Sequence, residues 1–327
     1  MSSEFGKNIR VSVFGESHGS AIGAVIDGLP AGEKIDTGEL AAFMKRRAPG
    51  GFGNLATSRT ESDIPELISG VMNNITTGAP LCILIKNIDT RSADYEKLKA
   101  VPRPGHADYT AQIKHSGYAD MRGGRHFSGR LTAPLCAAGG IALQILKRRG
   151  ININAYITEV GGVTGEDNIR ELIESLDGDS VGGIIECRAD GVRAGIGGNM
   201  FGLESVLSFA MFGIPGVKGI EFGSGFAGSR KRGSENNDAF CMKDGKVITA
   251  TNNHGGILGG ITTGMPLVFR VAFKPTPSIS LEQDSVSLET HENVKLKVEG
   301  RHDPCIAIRA VPIVEAMTAL VLLDEMG

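Results

Sequence analysis

Runs of apolar residues predict a mixture of strands and helices along this chain. Short runs rich in β-branched and other apolar side chains predict strands, at residues 9–14, 81–85, 152–158, 182–188, 217–222, 246–250 and 267–273. Apolar residues at helical spacing predict helices, from Asp36 through Arg46 and near residues 132–149, 168–177, 202–212 and 312–325. A mixture of this kind predicts layers of the α+β class.

Two of the predicted helices have recognisable ends. Asp36 followed by Glu39 resembles a capping box. The helix that begins near residue 132 ends in Lys147-Arg148-Arg149-Gly150, and basic side chains followed by glycine are typical of a helix C-terminus. No Pro- or Ser-rich linker and no strong repeat divides the chain. We therefore expect a single domain over residues 1–327.

Composition and charge exclude several classes of protein. With 41% hydrophobic residues in 327, the chain can bury a large core. The net charge of −3 argues against nucleic acid as a partner, since binding to phosphate backbones needs a basic face. The sequence has no apolar stretch of the ~18 residues that suggest a membrane span, and no signal peptide is recognisable. We expect a cytoplasmic protein with no membrane partner.

The cysteines predict neither disulfides nor a metal site. They are five in number, widely spaced and without a CxxC pair, which favours core thiols in a reducing compartment. The histidines also lack HExxH or comparable spacing. We therefore expect no metal.

Glycine is unusually abundant. The chain has 46 glycines in 327 residues, about twice the average usage of ~7%. Glycines that lie beside polar residues usually mark turns, or places where the backbone closely approaches a ligand. One such stretch, GSGFAG at residues 223–228, matches the dinucleotide fingerprint. The loop-like SRKRGSENND that follows it argues against a Rossmann site, because the fingerprint requires a helix there.

Several segments combine arginine, histidine, serine and glycine although the net charge is negative. In the densest, residues 122–130 (RGGRHFSGR), three arginines and a histidine share nine residues with no acid. Arginine forks and exposed backbone amides form anion sites. Each segment alone would be interpreted as an ordinary turn or helix start. Together they predict a polyanionic ligand, because clustered guanidinium groups repel one another without one.

Taken in order, these segments resemble the chorismate synthase family. The resemblance rests on GESHG (15–19), RPGHAD (103–108), the arginine-serine-arginine loop (122–133), NNHGGILGG (252–260) and GRHDPCIAIRAVPIVEAM (300–317), and it covers nearly the whole chain. It implies a layered β-α-β sandwich with antiparallel sheets around central helices. It also implies 1,4-anti elimination of phosphate from 5-enolpyruvylshikimate 3-phosphate to give chorismate. This phosphate lyase reaction is the last common step of the shikimate pathway and needs reduced FMN without net redox change.

The resemblance further implies roles for individual residues. His18 would protonate the departing phosphate, His106 would protonate or stabilise the reduced flavin, and Asp303 would accept a proton from flavin N5. The substrate anions would be bound by Ser17, Arg47, Arg103, Ser128, Arg130 and Arg301. Flavin contacts would fall on His126, Phe127, Ser128, Glu235, Asn236, Gly259, Lys274, Pro275, Thr276, Pro277, Ser278 and Arg301.

The chain departs from the family pattern in two places. Where many members have arginine on the flavin side, this chain has His126, and the neighbouring Arg125 is a candidate substitute. A family arginine a few residues beyond the Pro-Gly turn is replaced by Gly53 or Asn54, and Arg59 is a candidate for its role.

The sequence leaves further points open. The resemblance implies a homotetramer, and either NADPH or a separate flavin reductase as the source of reduced flavin. The alternative function is a flavin-dependent oxidoreductase that acts on a phosphorylated substrate, which would transfer electrons in net amount. A third hypothesis is an anion-binding protein without catalytic activity.

Overall fold

Two antiparallel sheets form the outer layers of this protein, and long helices lie between them. A computed structural model describes residues 3–48, 63–88, 100–120, 122–300 and 302–327. The strands are β1 Glu4–Phe5, β2 Arg10–Gly15, β3 Ala21–Asp27, β4 Glu66–Ser69, β5 Val71–Met72, β6 Ile75–Thr76, β7 Leu81–Lys86, β8 Asn152–Val160, β9 Gly183–Asp190, β10 Val217–Phe222, β11 Phe240–Lys243, β12 Lys246–Thr249, β13 Ile257–Leu258, β14 Ile261–Thr262, β15 Leu267–Phe273, β16 Gln283–Val286 and β17 Asn293–Leu296. The helices are α1 Thr37–Arg47, α2 Asp108–Lys114, α3 Thr132–Arg148, α4 Glu166–Glu174, α5 Leu203–Phe212, α6 Gly225–Gly228, α7 Gly233–Asn236 and α8 Ala307–Met326.

The two large sheets come from different parts of the chain. The first has the order β1-β2-β3-β7-β4 and the second the order β10-β15-β9-β8. All neighbouring pairs in both sheets are antiparallel. In β7 and β9, side chains alternate between buried and less buried positions, as expected for strands with one face on the core.

The helices α3 and α8 form the centre of the molecule. Helix α3 packs on the first sheet and α8 on the second, and the two helices pack on each other. Their backbones approach closely, since a methyl group added at Gly139 would lie 2.4 Å from the Cα atom of Ala316. This arrangement confirms the predicted α+β class with antiparallel sheets around central helices.

A buried carboxylate links two helices to the second sheet. Glu315 of α8 is 3% exposed and accepts two hydrogen bonds from the guanidinium of Arg46, at 2.6 and 2.9 Å. It also accepts one from the backbone N–H of Ala155 in β8, at 2.9 Å. Burial of a charged group is costly unless it is paired, and here the pairing joins α1, α8 and the second sheet.

The apolar character of α3 is explained by its position. Contrary to the expectation from the sequence, one window, Gly129–Arg148, is long and apolar enough to cross a membrane by length and composition, but 83% of it is buried inside the protein. Its neighbours are the first sheet on one side and α8 on the other. Three cysteines lie in the same core, namely Cys136, Cys187 and Cys305. Burial raises the pKa of Cys136 and Cys187 to about 12, so these two thiols stay protonated.

Candidate active site

A cavity of about 970 Å³ lies where the two central helices begin. It is lined by Thr132 at the start of α3 and by Arg309 and Ala310 at the start of α8. Helix N-termini carry partial positive charge and favour anions. His18, His106, Arg130 and Asp303, which are far apart in sequence, all line this one cavity.

Two arginines of the cavity share a buried carboxylate. Arg47 and Arg130 each form an ion pair with Asp63, which is 2% exposed. Burial opposes ionisation of Asp63, but the two guanidinium groups hold its pKa below the usual range. Arg47 also donates to Thr132 Oγ1 at 3.1 Å, and Arg130 to Asn87 Oδ1 at 3.0 Å. Both arginines are therefore held in place.

A second carboxylate organises the segment that precedes α2. Asp108 is 2% exposed and accepts hydrogen bonds from Arg103 Nε at 2.7 Å and Nη2 at 2.9 Å. His106 Nδ1 lies 2.7 Å from the same carboxylate. The pKa of Asp108 is far below its usual range, because Arg103 and His106 outweigh the opposing effect of burial. The pKa of His106 is lowered, chiefly by burial.

His18 is packed between the first sheet and the arginine-rich loop. Its ring is buried, and its Nδ1 atom lies 3.1 Å from Ser17 Oγ. A Cβ atom at Gly123 would lie 2.0 Å from that Nδ1 atom. Glycine is therefore required at position 123, both by this contact and by a φ of +61°.

The arginine-rich loop forms two short 3₁₀ turns, Arg125–Phe127 and Gly129–Leu131. His126 bonds to Gly15 O at 2.9 Å through Nδ1 and to Ser3 Oγ at 2.7 Å through Nε2. Arg125 instead turns inward, where its Nη2 atom lies 3.4 Å from Asp108 Oδ1. The cavity lining includes His126, Phe127 and Ser128, but Arg125 is not part of it among the described residues.

The segment after β15 supplies hydrogen-bonding groups on another side of the cavity. Lys274, Thr276, Pro277 and Ser278 line it. Thr276 Oγ1 is buried and has no partner among the described residues. The ammonium of Lys274 donates to the backbone oxygen of Gly105, and burial, followed by the charge of Lys218, lowers the pKa of Lys274.

Asp303 precedes α8 and is paired within the cavity. Its Oδ2 atom accepts a hydrogen bond from Arg309 at 2.9 Å. Arg309 also donates to the backbone oxygen of Arg47 at 3.2 Å. The Asp303–Arg309 pair is thus connected to the C-terminal end of α1, where Arg47 lies.

Several predicted site residues lie elsewhere. Ser17 and Pro275 are adjacent in sequence to residues that line the cavity, but they are not part of the lining that the structure describes. Four other predicted positions fall outside the described residues: Arg301, Gly53, Asn54 and Arg59. Glu235 and Asn236 belong to the short helix α7, where Glu235 accepts from Arg232 N at 2.9 Å. Gly259 lies in the β13–β14 turn with a φ of +62°. Flavin contacts at Glu235, Asn236 and Gly259 remain predictions, and within this chain those three residues do not line the cavity.

Two glycine-rich segments have structural roles. His254 accepts from Gly256 N at 2.8 Å through Nδ1, and its Nε2 lies 3.3 Å from Asp238. Asp238 also accepts from Asn253 N at 2.8 Å. In GSGFAG, helix α6 has only four residues, and Glu221 accepts from Phe226 N at 2.9 Å. This helix is shorter than the one that the dinucleotide fingerprint opens, and the backbone N–H of Phe226 is already bonded to a carboxylate of the protein.

Sequence reasoning missed several lining and supporting residues. Asp63 and Asp108 support the arginines and His106, Lys218 adds a cation, and Phe209 and Phe212 from α5 add apolar surface. Asp108 is part of RPGHAD and lies two positions after His106, so the sequence could have indicated that the two side chains interact. Asp63, Lys218, Phe209 and Phe212 lie outside the motifs, and no local pattern distinguishes them.

The α+β sandwich and its cationic cavity, whose lining includes four histidines and two carboxylates, define an enzyme for a small polyanionic substrate. The chorismate synthase family model matches residues 9–326, and this chain belongs to that family. A chorismate synthase from Chitinophaga pinensis is 49% identical over 324 residues, which cover 98% of this chain and 96% of that protein. One from Thermococcus gammatolerans is 48% identical over 345 residues, with the same coverage of each chain.

A solved structure agrees with these relatives. The structure described as "Crystal Structure of Chorismate Synthase" superposes with a TM-score of 0.75 at 25% identity, covering 98% of this chain and 92% of that one. The family, the fold and the enzyme class predicted from the sequence are confirmed. The chain is a phosphate lyase of the shikimate pathway, and it acts in the biosynthesis of aromatic amino acids.

Proposed function

We propose that the cavity holds 5-enolpyruvylshikimate 3-phosphate beside reduced FMN and that its side chains carry out the 1,4-anti elimination of phosphate. The observation that supports this most is the convergence of His18, His106, Arg130 and Asp303 on one cavity. Arg47, Arg103 and Arg130 bind the phosphate and carboxylate groups of the substrate. Charge-assisted hydrogen bonds of this kind contribute roughly 1.5–3 kcal/mol each.

Proton transfer is assigned to three side chains. His18, buried beside Ser17, protonates the phosphate as it leaves. His106 stabilises negative charge on the bound cofactor, and Asp303, paired with Arg309, accepts a proton. Positioned acid–base groups contribute ~10²–10⁴-fold each.

The residues of the cavity fit a flavin. Thr276 Oγ1 is a buried hydroxyl without a partner among the described residues, and Lys274 and Lys218 add positive charge beside it. Phe127, Phe209 and Phe212 supply apolar surface for a ring system. Lys274, Thr276, Pro277, Ser278, His126, Phe127 and Ser128 would hold the cofactor. When bound, reduced FMN supplies a transient electron that helps the phosphate to leave.

His18→Ala and Asp303→Ala should each lower turnover by more than ~10-fold while they spare flavin binding, because each removes a proton-transfer group. Anaerobic assays of phosphate and chorismate measure turnover, and FMN titration measures binding. His291→Ala and Asp284→Ala, which alter exposed residues, serve as matched controls. If either active-site variant kept wild-type turnover, the role of that residue would be wrong.

The same assay separates the elimination from the alternative oxidoreductase. Elimination predicts one phosphate and one chorismate per substrate consumed, with no net consumption of reduced FMN. Oxidation of the flavin in proportion to product would favour the oxidoreductase instead. Absence of turnover with intact ligand binding would favour a non-catalytic anion-binding protein.

The assembly and the source of electrons follow from the family resemblance. We propose a homotetramer in the cytoplasm, supplied with reduced flavin either by its own NADPH-dependent reduction or by a separate flavin reductase. Anaerobic assay of the purified protein with oxidised FMN, with and without NADPH, distinguishes the two sources. Light scattering measures the assembly.

A further inference from the structure

We propose that Asp63 is a positioning residue that acts through Arg47 and Arg130: it is their built-in counter-charge, and it limits how tightly they hold a phosphate group. The proposal rests on the contacts of the buried Asp63 carboxylate. It deepens the proposed function and rests on it, because it concerns two of the arginines that bind the substrate there. Its test uses inorganic phosphate alone, so the outcome does not depend on turnover.

The Asp63 carboxylate brings two guanidinium groups side by side. Its side chain has no exposed surface. Each of its oxygen atoms accepts from a different arginine, Oδ2 from Arg47 Nη1 and Oδ1 from Arg130 Nη1. Groups that share one carboxylate must lie close together, and both arginines line the cavity. A single anionic group of a ligand can therefore contact both of them.

Other hydrogen bonds hold each arginine independently of Asp63. Arg47 donates through Nε to Thr132 Oγ1 at 3.1 Å, and Arg130 donates through Nε to Asn87 Oδ1 at 3.0 Å. Each also donates through Nη2 to a backbone oxygen, at 3.2 and 3.3 Å respectively. These four acceptors are uncharged. Loss of the charge of Asp63 should therefore change the electrostatics of the pair more than its position.

The charge of Asp63 opposes any anion that binds to the pair. Burial works against ionisation of Asp63, but the two guanidinium groups hold its pKa below the usual range. Arg47, Arg130 and the ionised Asp63 together present one net positive charge, whereas the arginines alone would present two. Charges in a partly buried site interact more strongly than in water. The carboxylate thus weakens the attraction of the pair for an anion.

This effect matters because the proposed elimination leaves phosphate in the cavity as a product. Two adjacent arginines without a counter-charge would retain that phosphate, and product release limits the rate of many enzymes. The substrate carries a carboxylate as well as its phosphate, so other cations of the cavity, such as Arg103 and Lys274, can supply affinity for it that free phosphate does not share.

The experiment measures the dissociation constant of inorganic phosphate by titration calorimetry, on the full-length protein with FMN present and at low salt. In Asp63→Asn this constant should fall by ~10-fold, because the charge that opposes the anion is gone while the arginines keep their other hydrogen bonds. Arg47→Gln should raise the constant, which would locate the phosphate at this pair.

Glu315→Gln is the matched control. Glu315 is also a buried carboxylate paired with an arginine, Arg46, but neither residue belongs to the described lining of the cavity. The variant removes the same charge as Asp63→Asn from a site where no phosphate binds. It should leave the dissociation constant of phosphate unchanged.

A second comparison decides the question if Asp63→Asn does not fold. Combined with Arg47→Gln, Asp63→Asn leaves the single guanidinium of Arg130 beside a neutral amide, whose oxygen can accept its hydrogen bond. Relative to Arg47→Gln alone, the double variant should bind phosphate more tightly by ~5-fold or more. Phosphate bound no more tightly after Asp63→Asn, or no more tightly in the double variant than in Arg47→Gln, would overturn the proposal.

The consequence for turnover is measured separately. In Asp63→Asn, KM for the phosphorylated substrate and the inhibition constant of phosphate should both fall, whereas a residue with a merely structural role would raise both when altered. Tighter binding of phosphate by Asp63→Asn, together with a wild type that forms no chorismate, would leave the role of Asp63 intact and contradict the proposed function.

Discussion

Carboxylates that are buried or half-buried decide how the basic side chains of the cavity are arranged. Asp63 joins Arg47 to Arg130, Asp108 joins Arg103 to His106, and Asp303 pairs with Arg309. Each acid lowers the repulsion between the cations it bridges or adjoins. The cluster of guanidinium groups that the sequence predicts is therefore compatible with a folded protein before any anion binds.

Glu16 is a carboxyl group that the fold prefers to keep protonated. A hydrogen bond with Asp120, burial and the charge of Asp120 raise its pKa to about 7, from an ordinary value of 4.5. Between pH 4.5 and about pH 7, Glu16 therefore binds a proton more tightly in the folded state than in the unfolded state. The contribution of Glu16 to stability is lost as pH rises through about 7.

Glu16→Gln should accordingly stabilise the protein at pH ~8 relative to wild type, because it removes an ionised carboxyl beside Asp120. The difference should fade as pH falls to ~4.5, where wild-type Glu16 is protonated. Thermal unfolding of both proteins across this range is the measurement. Glu282→Gln controls for the loss of an exposed charge, and a wild-type advantage at pH ~8 would contradict the assignment.

Residues that line the cavity were predictable where glycine, histidine and arginine are concentrated in the sequence. His18, His106, Arg130 and Asp303 lie in segments dense in glycine and basic residues, and they meet in one cavity. Asp63 was not predictable, because a single acid outside any motif has no local signature. Its significance comes from two arginines that the fold brings to it.

At the scale of elements, the contact between α3 and α8 depends on glycine at one position. A methyl group at Gly139 would meet the backbone of Ala316, with Cα at 2.4 Å and O at 2.5 Å. A methyl group added at Gly140 would instead meet the ends of side chains, of which Leu40 Cδ1 would be nearest at 2.7 Å. Side-chain ends can move aside, but two packed helix backbones cannot do so without separating.

Gly139→Ala should therefore destabilise the protein by ~1–3 kcal/mol, as overpacking of a core typically does. Gly140→Ala is the matched control and should be close to neutral, because the higher helix propensity of alanine, ~1 kcal/mol, offsets the smaller clash. Denaturant unfolding of both variants tests this. Equal stabilities would show that the helices can separate without cost.

The longer helices and all but one of the longer strands were predictable from their apolar pattern, whereas the shorter helices and most strands of two to four residues were not. The N-cap at Asp36 is present, with its side chain accepting from Glu39 N at 2.9 Å. Helix α8 begins at Ala307 rather than at residue 312, because Pro312 is accommodated inside a helix that is buried along most of its length. Strand β3 was not predicted because its sequence, AIGAVID, is apolar at nearly every position and lacks the alternation that strand prediction uses, although Ile22, Ala24 and Ile26 are buried on one face.

The segment SRKRGSENND, which the sequence analysis describes as loop-like, contains the short helix α7, and the strand β11 that follows it was not predicted. All four residues of β11 are exposed. Its pairing with β12 is therefore not visible as a hydrophobic pattern, which is the signal that strand prediction uses.

For the whole molecule, the net charge is −3, yet the cavity gathers six cationic side chains, Arg47, Arg103, Arg130, Lys218, Lys274 and Arg309. Such focusing increases the local concentration of an anionic substrate and weakens with salt. Lys218 is exposed and lines the cavity, so it can act on a ligand before the ligand is fully bound.

Lys218→Ala should raise KM for the phosphorylated substrate by about 1.5- to 5-fold at low salt, corresponding to the roughly 0.2–1 kcal/mol of an exposed charge pair. The effect should shrink at high salt. Steady-state kinetics at two ionic strengths measure it. Lys246→Ala, at an exposed position on the β11–β12 hairpin, is the matched control. An increase in KM that does not depend on salt would contradict an electrostatic role.

The first and last segments of the chain hold each other in place. Asp324, near the end of α8, accepts hydrogen bonds from Asn8 N at 2.6 Å and from Ile9 N at 2.7 Å. Asp324 and Ile9 are 315 positions apart in the sequence. The strand just before those residues carries Glu4 and Phe5, which line the cavity. Trimming the final helical turn would therefore loosen a wall of the reaction chamber.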